Sequence, residues 1–174
     1  ACAKCGSRAV DNPPVLKVLA DFLSSSRNTQ RALPFYLRVI KLRPDDSNAQ
    51  ENLATGLVLT NQRPQAIEML QHIIKEHPEK YQPYELLAEV LEDEGRTLER
   101  ANQHEEAKAN FAKAAANYEQ CLLINPSHSN NYFRLAELFL GRPKESDRAV
   151  KLLTDAPRRF PSAPEFGYYL GLAL

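Results

Sequence analysis

The chain has 174 residues, with 22 lysines and arginines balanced by 22 aspartates and glutamates, so its formal net charge is zero. That balance argues against a nucleic-acid binder, which would need a basic stripe. No apolar run approaches the roughly 18 residues of a membrane span, and no basic-then-apolar leader stands at the amino end.

Residues 1–12 read as a tail. Cys2-Ala3-Lys4-Cys5-Gly6 looks like half a zinc knuckle, but a structural zinc wants four ligands, and the sequence has no second Cys-x-x-Cys or nearby His pair. Cys2, Cys5 and Val10 also stand 34 residues ahead of Tyr36, Val39 and Pro44. The tail therefore fits the end of a preceding second helix, with metal, redox and lipid-anchoring roles for its cysteines left open beside that one.

Repeat one covers 13–46. Asn12 is placed to cap a helix with Pro13 at its first position, and Leu16, Leu19-Ala20 and Leu23 recur at three- and four-residue spacing, as an amphipathic stripe does. Ser24-Ser25-Ser26 reads as a turn. Ala32, Tyr36 and Val39 then lead to Pro44, while Pro34 predicts a kink or a late start in the second helix. Repeat two, 47–80, carries the same frame 34 residues on: Leu53-Ala54, Leu57, Ala66, Leu70, Ile73 and Pro78. Ser47 with Gln50 predicts a capping box, and Pro64 opens the second helix where a missing N–H costs nothing.

Repeat three, 81–128, runs Tyr84, Leu87-Ala88, Leu91, then Ala114, Tyr118, Cys121 and Pro126. Its closing prolines lie 48 residues apart rather than 34. Ala107 and Phe111 repeat the second-helix spacing one heptad early, just after Asn102-Gln103-His104, which reads as the inter-helix turn. Each helix is therefore expected to gain seven residues, keeping its inward face and lengthening the pair by roughly 10 Å. Small residues from Ala107 to Ala116 suit a close partner, and the extension reads equally as passive elongation or as a contact surface of its own. Repeat four, 129–163, runs Tyr132, Leu135-Ala136, Phe139, Ala149, Leu153, Ala156 and Pro161, with Pro143 opening its second helix. Residues 164–174 start a fifth copy, with Leu170-Gly171 in frame. Each closing proline is expected to end a helix by restricting its predecessor.

Four in-phase copies with an early Leu-Ala pair, a small residue midway, an aromatic or Leu four later and a closing Pro resemble the tetratricopeptide repeat family. The resemblance spans nearly the whole chain. It departs at the early large residue, which is Leu16, Gln50, Tyr84 and Tyr132 in turn. It implies an all-α superhelical solenoid of about nine helices in antiparallel pairs, without a sheet, read as one continuous array. In such arrays the first helices line a concave groove for a partner segment. Carried over by the family pattern, the groove residues are Lys17 and Asp21; Glu51, Thr55 and Leu59; Glu85, Glu89 and Glu92; and Phe133, Glu137 and Leu140, an acidic groove with hydrophobic ends. The chaperone-binding subset clamps a carboxylate tail with Lys and Asn, then Asn, then Lys and Arg. Lys17 and Asn52 match that clamp, but Asp21, Gln82 and Leu86 break it, so an acidic tail is not expected.

No catalytic, cofactor or metal constellation emerges. His72, His77, His104 and His128 lie apart without an i,i+4 His partner and are expected to be solvated, and no phosphate loop or nucleophile elbow is present. Arg158-Arg159 is too short for a nucleic-acid patch. Cys121 takes the frame position of Val39, Ile73 and Ala156 and reads as a small core residue. The absence of an initiator Met and the stop inside a helical pattern point to a piece of a longer protein. The expected function is a non-catalytic scaffold or adaptor whose partner is a protein or peptide segment, basic or mixed basic and apolar. The rivals are a regulatory or substrate-docking arm of a larger enzyme and a purely architectural spacer. Oligomeric state and compartment stay open, with cytoplasm, periplasm and a lipid anchor at Cys2 all compatible.

Overall fold

A residue before proline is driven out of the helical region by the pyrrolidine ring, and the computed structural model shows this four times. Arg43, His77, Asn125 and Phe160 end their helices at φ −140°, −133°, −128° and −128° with positive ψ. The structure describes residues 11–142, 145–161, 163 and 165–174. Among these it has nine helices and no strand. They are α1 (Pro13–Ser25), α2 (Thr29–Leu42), α3 (Ser47–Leu59), α4 (Arg63–Glu76), α5 (Gln82–Arg100), α6 (His104–Ile124), α7 (Ser129–Leu140), α8 (Ser146–Arg159) and α9 (Glu165–Ala173). Cys2, Cys5, Val10 and Pro143 lie outside the described residues, and with them every role considered for the tail.

The helices group into two compact bodies, residues 1–78 and 79–174, where the repeat pattern alone suggests one array. In the amino-terminal body Leu16, Ala20, Ala32, Tyr36, Val39, Ala49 and Leu53 form one buried cluster. The frame alanines are fully buried, so that paired helices meet closely. In the carboxy-terminal body Leu87, Ala88, Ala114, Tyr118, Leu135, Phe139, Leu153 and Phe166 play the same part. There α5 and α6 run 19 and 21 residues, against 12 and 14 for α7 and α8. Two glycines set close approaches: a Cβ on Gly56 would lie 2.6 Å from Leu33 Cδ2, and one on Gly95 would lie 2.8 Å from the Phe111 ring.

The turns inside the first three pairs are alike. Arg27, Asn61 and Asn102 adopt φ 58°, 57° and 61°. The next residue's N–H then closes on Leu23, Leu57 and Leu98 carbonyls, each at 2.9 Å, which satisfies helix-end carbonyls through a left-handed cap.

Three local expectations need correction. The cap of α3 is Asp46, whose carboxylate accepts from Ala49 N–H at 3.0 Å, rather than a Ser47–Gln50 box. Gln50 is instead buried and donates to the Pro44 carbonyl. Asn12 does precede α1, but its side chain makes no cap hydrogen bond. Pro34 does not delay α2, which begins at Thr29 and runs through it. The pyrrolidine sits on the exposed side, clear of the packed face of the helix. A second internal proline, Pro157, lies in the last turn of α8.

Candidate functional site

On α1 and α3 the sequence-selected residues mostly satisfy one another. Lys17 Nζ donates to Asp46 Oδ1 at 3.0 Å, so this cation is held by the cap of α3. Burial would raise the Asp46 carboxyl, but the bonds from Lys17 and Ala49 outweigh it and hold it below its usual value. Asp21 accepts from Tyr36 Oη at 2.7 Å and from Asn52 Nδ2 at 3.0 Å. Both residues that match the chaperone clamp are thus occupied by this chain's own carboxylates. Thr55 is exposed, with its hydroxyl returned to the Glu51 carbonyl, and Leu59 is 68% exposed beyond it.

On α5, Glu85, Glu89 and Glu92 share one face but not one environment. Glu92 is only 4% exposed and accepts from Tyr118 Oη at 3.0 Å and from Arg96 Nη2. It is a buried, paired carboxylate rather than a groove surface. Glu85 faces His128, whose Nε2 lies 3.5 Å from Glu85 Oε1 and whose ring packs on Tyr81 at 5.4 Å. His128 is therefore packed at the start of α7 rather than solvated. Glu89 is half buried, and its carboxyl is raised above the ordinary value first by that burial and then by Glu85, against the pull of Arg134. Glu89, Glu92, Asp93, Arg96 and Arg134 line a polar cleft of about 270 Å³.

The residues selected on α7 meet α9. Phe133 stacks on Phe166 with ring centroids 3.9 Å apart and tilts against Tyr169 at 5.7 Å. Glu137 accepts from Tyr169 Oη at 3.0 Å, and Leu140 is partly buried. Phe133 is thereby largely spent inside the body, while Tyr168 and Leu172 on α9 are left exposed.

Sequence reasoning named Lys17 as the groove cation and missed Arg134, Arg96 and His128. Arg96 was legible, since it stands four residues after Glu92 on a helix. Arg134 and His128 come from the next pair, and only packing brings them to α5. Cys121 is fully buried, its thiol donating to the Tyr81 carbonyl at 3.4 Å, and burial followed by Glu85 pushes the thiol up to about 12. It is an inert core thiol, as thiolate chemistry needs a low value. Among the described residues no group of three His, Cys, Asp or Glu is arranged for a metal, and no helix is long and apolar enough to cross a membrane.

The sequence profile of the tetratricopeptide repeat family matches residues 92–164. In fold the chain is similar to the crystal structure of MamA, at 15% identity over 92% of this chain and 80% of that one, with a TM-score of 0.72. It is also similar to TTC0263, a thermophilic TPR protein in Thermus thermophilus, at 20% identity over 93% and 81% with a TM-score of 0.66. A third likeness is to YrrB, described as a TPR protein with an unusual peptide-binding site, at 16% identity over 98% and 80% with a TM-score of 0.69. No curated protein matches the chain in sequence.

Proposed function

We propose that the chain, which matches the tetratricopeptide repeat family over residues 92–164 and is similar in fold to proteins of that kind, is a non-catalytic interaction module holding a segment of a partner protein. The segment is basic or mixed basic and apolar, and its cations meet Glu85 and Glu89 on α5. The observation that carries this reading is Glu89: a half-buried carboxylate whose negative charge Arg134 compensates only in part, so that its carboxyl stays raised. A partner cation beside it relieves the mutual repulsion of Glu85 and Glu89 and is attracted over roughly 8 Å at physiological salt. The own-chain pairing of Lys17 and Asn52 supports the same sign, because neither is free for an acidic tail. YrrB, with its peptide-binding site, is a precedent on this fold.

The test is a titration of the chain and a Glu85→Lys/Glu89→Lys variant with basic, mixed and acidic peptides across salt. Wild type should favour basic peptides, more so at low salt, and the variant should lose that preference. Unchanged affinity of the variant, or tighter binding of acidic peptides to wild type, sinks the assignment. The same face on a regulatory arm of a larger enzyme would bind the same segment, with a catalytic domain elsewhere in the reading frame as the discriminating observation.

A further inference from the structure

The two long helices of the carboxy-terminal body create a step. At 1.5 Å per residue, the seven extra residues carry the α5–α6 tip roughly 10 Å past the shorter α7–α8 pair. Beneath that overhang lies a cleft of about 620 Å³, which adjoins the Glu89 cleft through Arg96. Its floor is apolar, from Ala107, Phe111 and Leu138. Gly95 lets the Phe111 ring lie against the α5 backbone, which leaves the opposite side of the ring toward Arg142, whose Cζ sits 4.6 Å from the ring centroid.

The charges around this cleft are unequally used. Glu137 already accepts from Tyr169, Glu145 from Arg148, and Arg96 is given to Glu92. The Arg142 guanidinium donates no hydrogen bond among the described residues. It is nevertheless partly buried, which lowers its hold on its proton, while Glu145, Glu99 and Glu92 act the other way from a distance. Lys108 is exposed on the neighbouring wall of the cleft, and Glu99 is the one opposing carboxylate there without a hydrogen-bond partner among the described residues. A guanidinium with unused donors over an aromatic floor fits a planar anion joined to an apolar group, because the carboxylate takes the fork while the ring keeps the cation in place.

We propose that this cleft is a second docking site, for a partner segment presenting a carboxylate beside an apolar side chain. The carboxylate lies against Arg142 and Lys108, and the apolar side chain rests on Phe111 and Leu138. This ligand is opposite in sign to the one assigned to the α5 face, so the two sites are separable.

The experiment follows amide and arginine Nε–H resonances of the full chain during titration with a capped acetyl-Glu-Glu-Leu-Phe-Glu-Glu-amide peptide and its all-Gln counterpart. Saturable shifts are expected at Phe111, Ala112, Gly141 and Arg142, and the Gln peptide should bind about tenfold more weakly or worse, as loss of a charge-assisted pair implies. Arg142→Gln should weaken the acidic peptide by about the same factor and Lys108→Gln by less, whereas Glu99→Gln should tighten it and Glu85→Lys/Glu89→Lys should not weaken it. Shifts confined to other surfaces, no saturable shifts, equal affinity in folded Arg142→Gln and Lys108→Gln chains, or a capped Lys-for-Glu peptide filling the cleft would each overturn the assignment.

Discussion

Gly95 offers a stringent test of the packing between the long helices. Replacing a mid-helix glycine with alanine gains about 0.8–1.0 kcal/mol in backbone propensity. At Gly95 the new methyl would sit 2.8, 2.9 and 3.2 Å from three ring carbons of Phe111. An aromatic ring cannot yield at one edge, so either the whole side chain or the α5–α6 spacing must shift, and overpacking of this kind costs about 1–3 kcal/mol. The balance for Gly95→Ala is a loss of about 1 kcal/mol. Gly56→Ala is the matched control. Its methyl meets the Leu33 Cδ2 methyl at 2.6 Å, which a change of rotamer relieves for about 0.5–1.5 kcal/mol, leaving stability near that of wild type. Urea unfolding followed by far-UV circular dichroism measures both. A Gly95→Ala chain that is more stable by about 1 kcal/mol, the value propensity alone gives, would refute the claim that Phe111 lies pinned against α5.

Asp46→Ala removes the α3 cap and the partner of Lys17 together, and should cost about 1–2 kcal/mol by the same assay. Because the folded-state Asp46 carboxyl is held below its usual value, its contribution is present above the ordinary carboxylate range and is lost as pH falls through it. At the alkaline end, Tyr36 and Tyr118 are raised by burial and by their carboxylate partners Asp21 and Glu92. Their contribution is full below about pH 10 and is lost above it. Melting temperature should therefore fall steeply at alkaline pH, and a Tyr36→Phe/Tyr118→Phe chain should show a flatter profile.

The fold was legible because the signals that set it are local. A proline restricts its own predecessor, and Leu-Ala pairs at fixed spacing need no distant partner to declare a buried stripe. The α3 cap was misplaced by one residue because Asp46 and Ser47 are both capping types, and only the hydrogen bond to Ala49 N–H chooses between them. Of the left-handed cap residues, Asn61 and Asn102 are of the type that takes this conformation most readily after glycine, whereas Arg27 carries no such signal. The site was half legible. Glu85, Glu89 and Glu92 do share a helix face, but their differing burial depends on Tyr118, Arg134 and His128 from neighbouring helices. Phe133 reads as an exposed anchor until Phe166 stacks on it, and the cleft at Arg142 is lined from two adjacent pairs whose contact the repeat frame does not specify.

The central claim is that the Glu85–Glu89 face receives a basic partner segment, and mapping by resonance shifts with a capped basic-apolar peptide tests it most directly. The account predicts saturable shifts centred on Glu85, Glu89, Arg134 and Leu140, with affinity falling as salt is raised. Salt-independent binding, or shifts that bypass α5 and gather on α4 or α8, would contradict it.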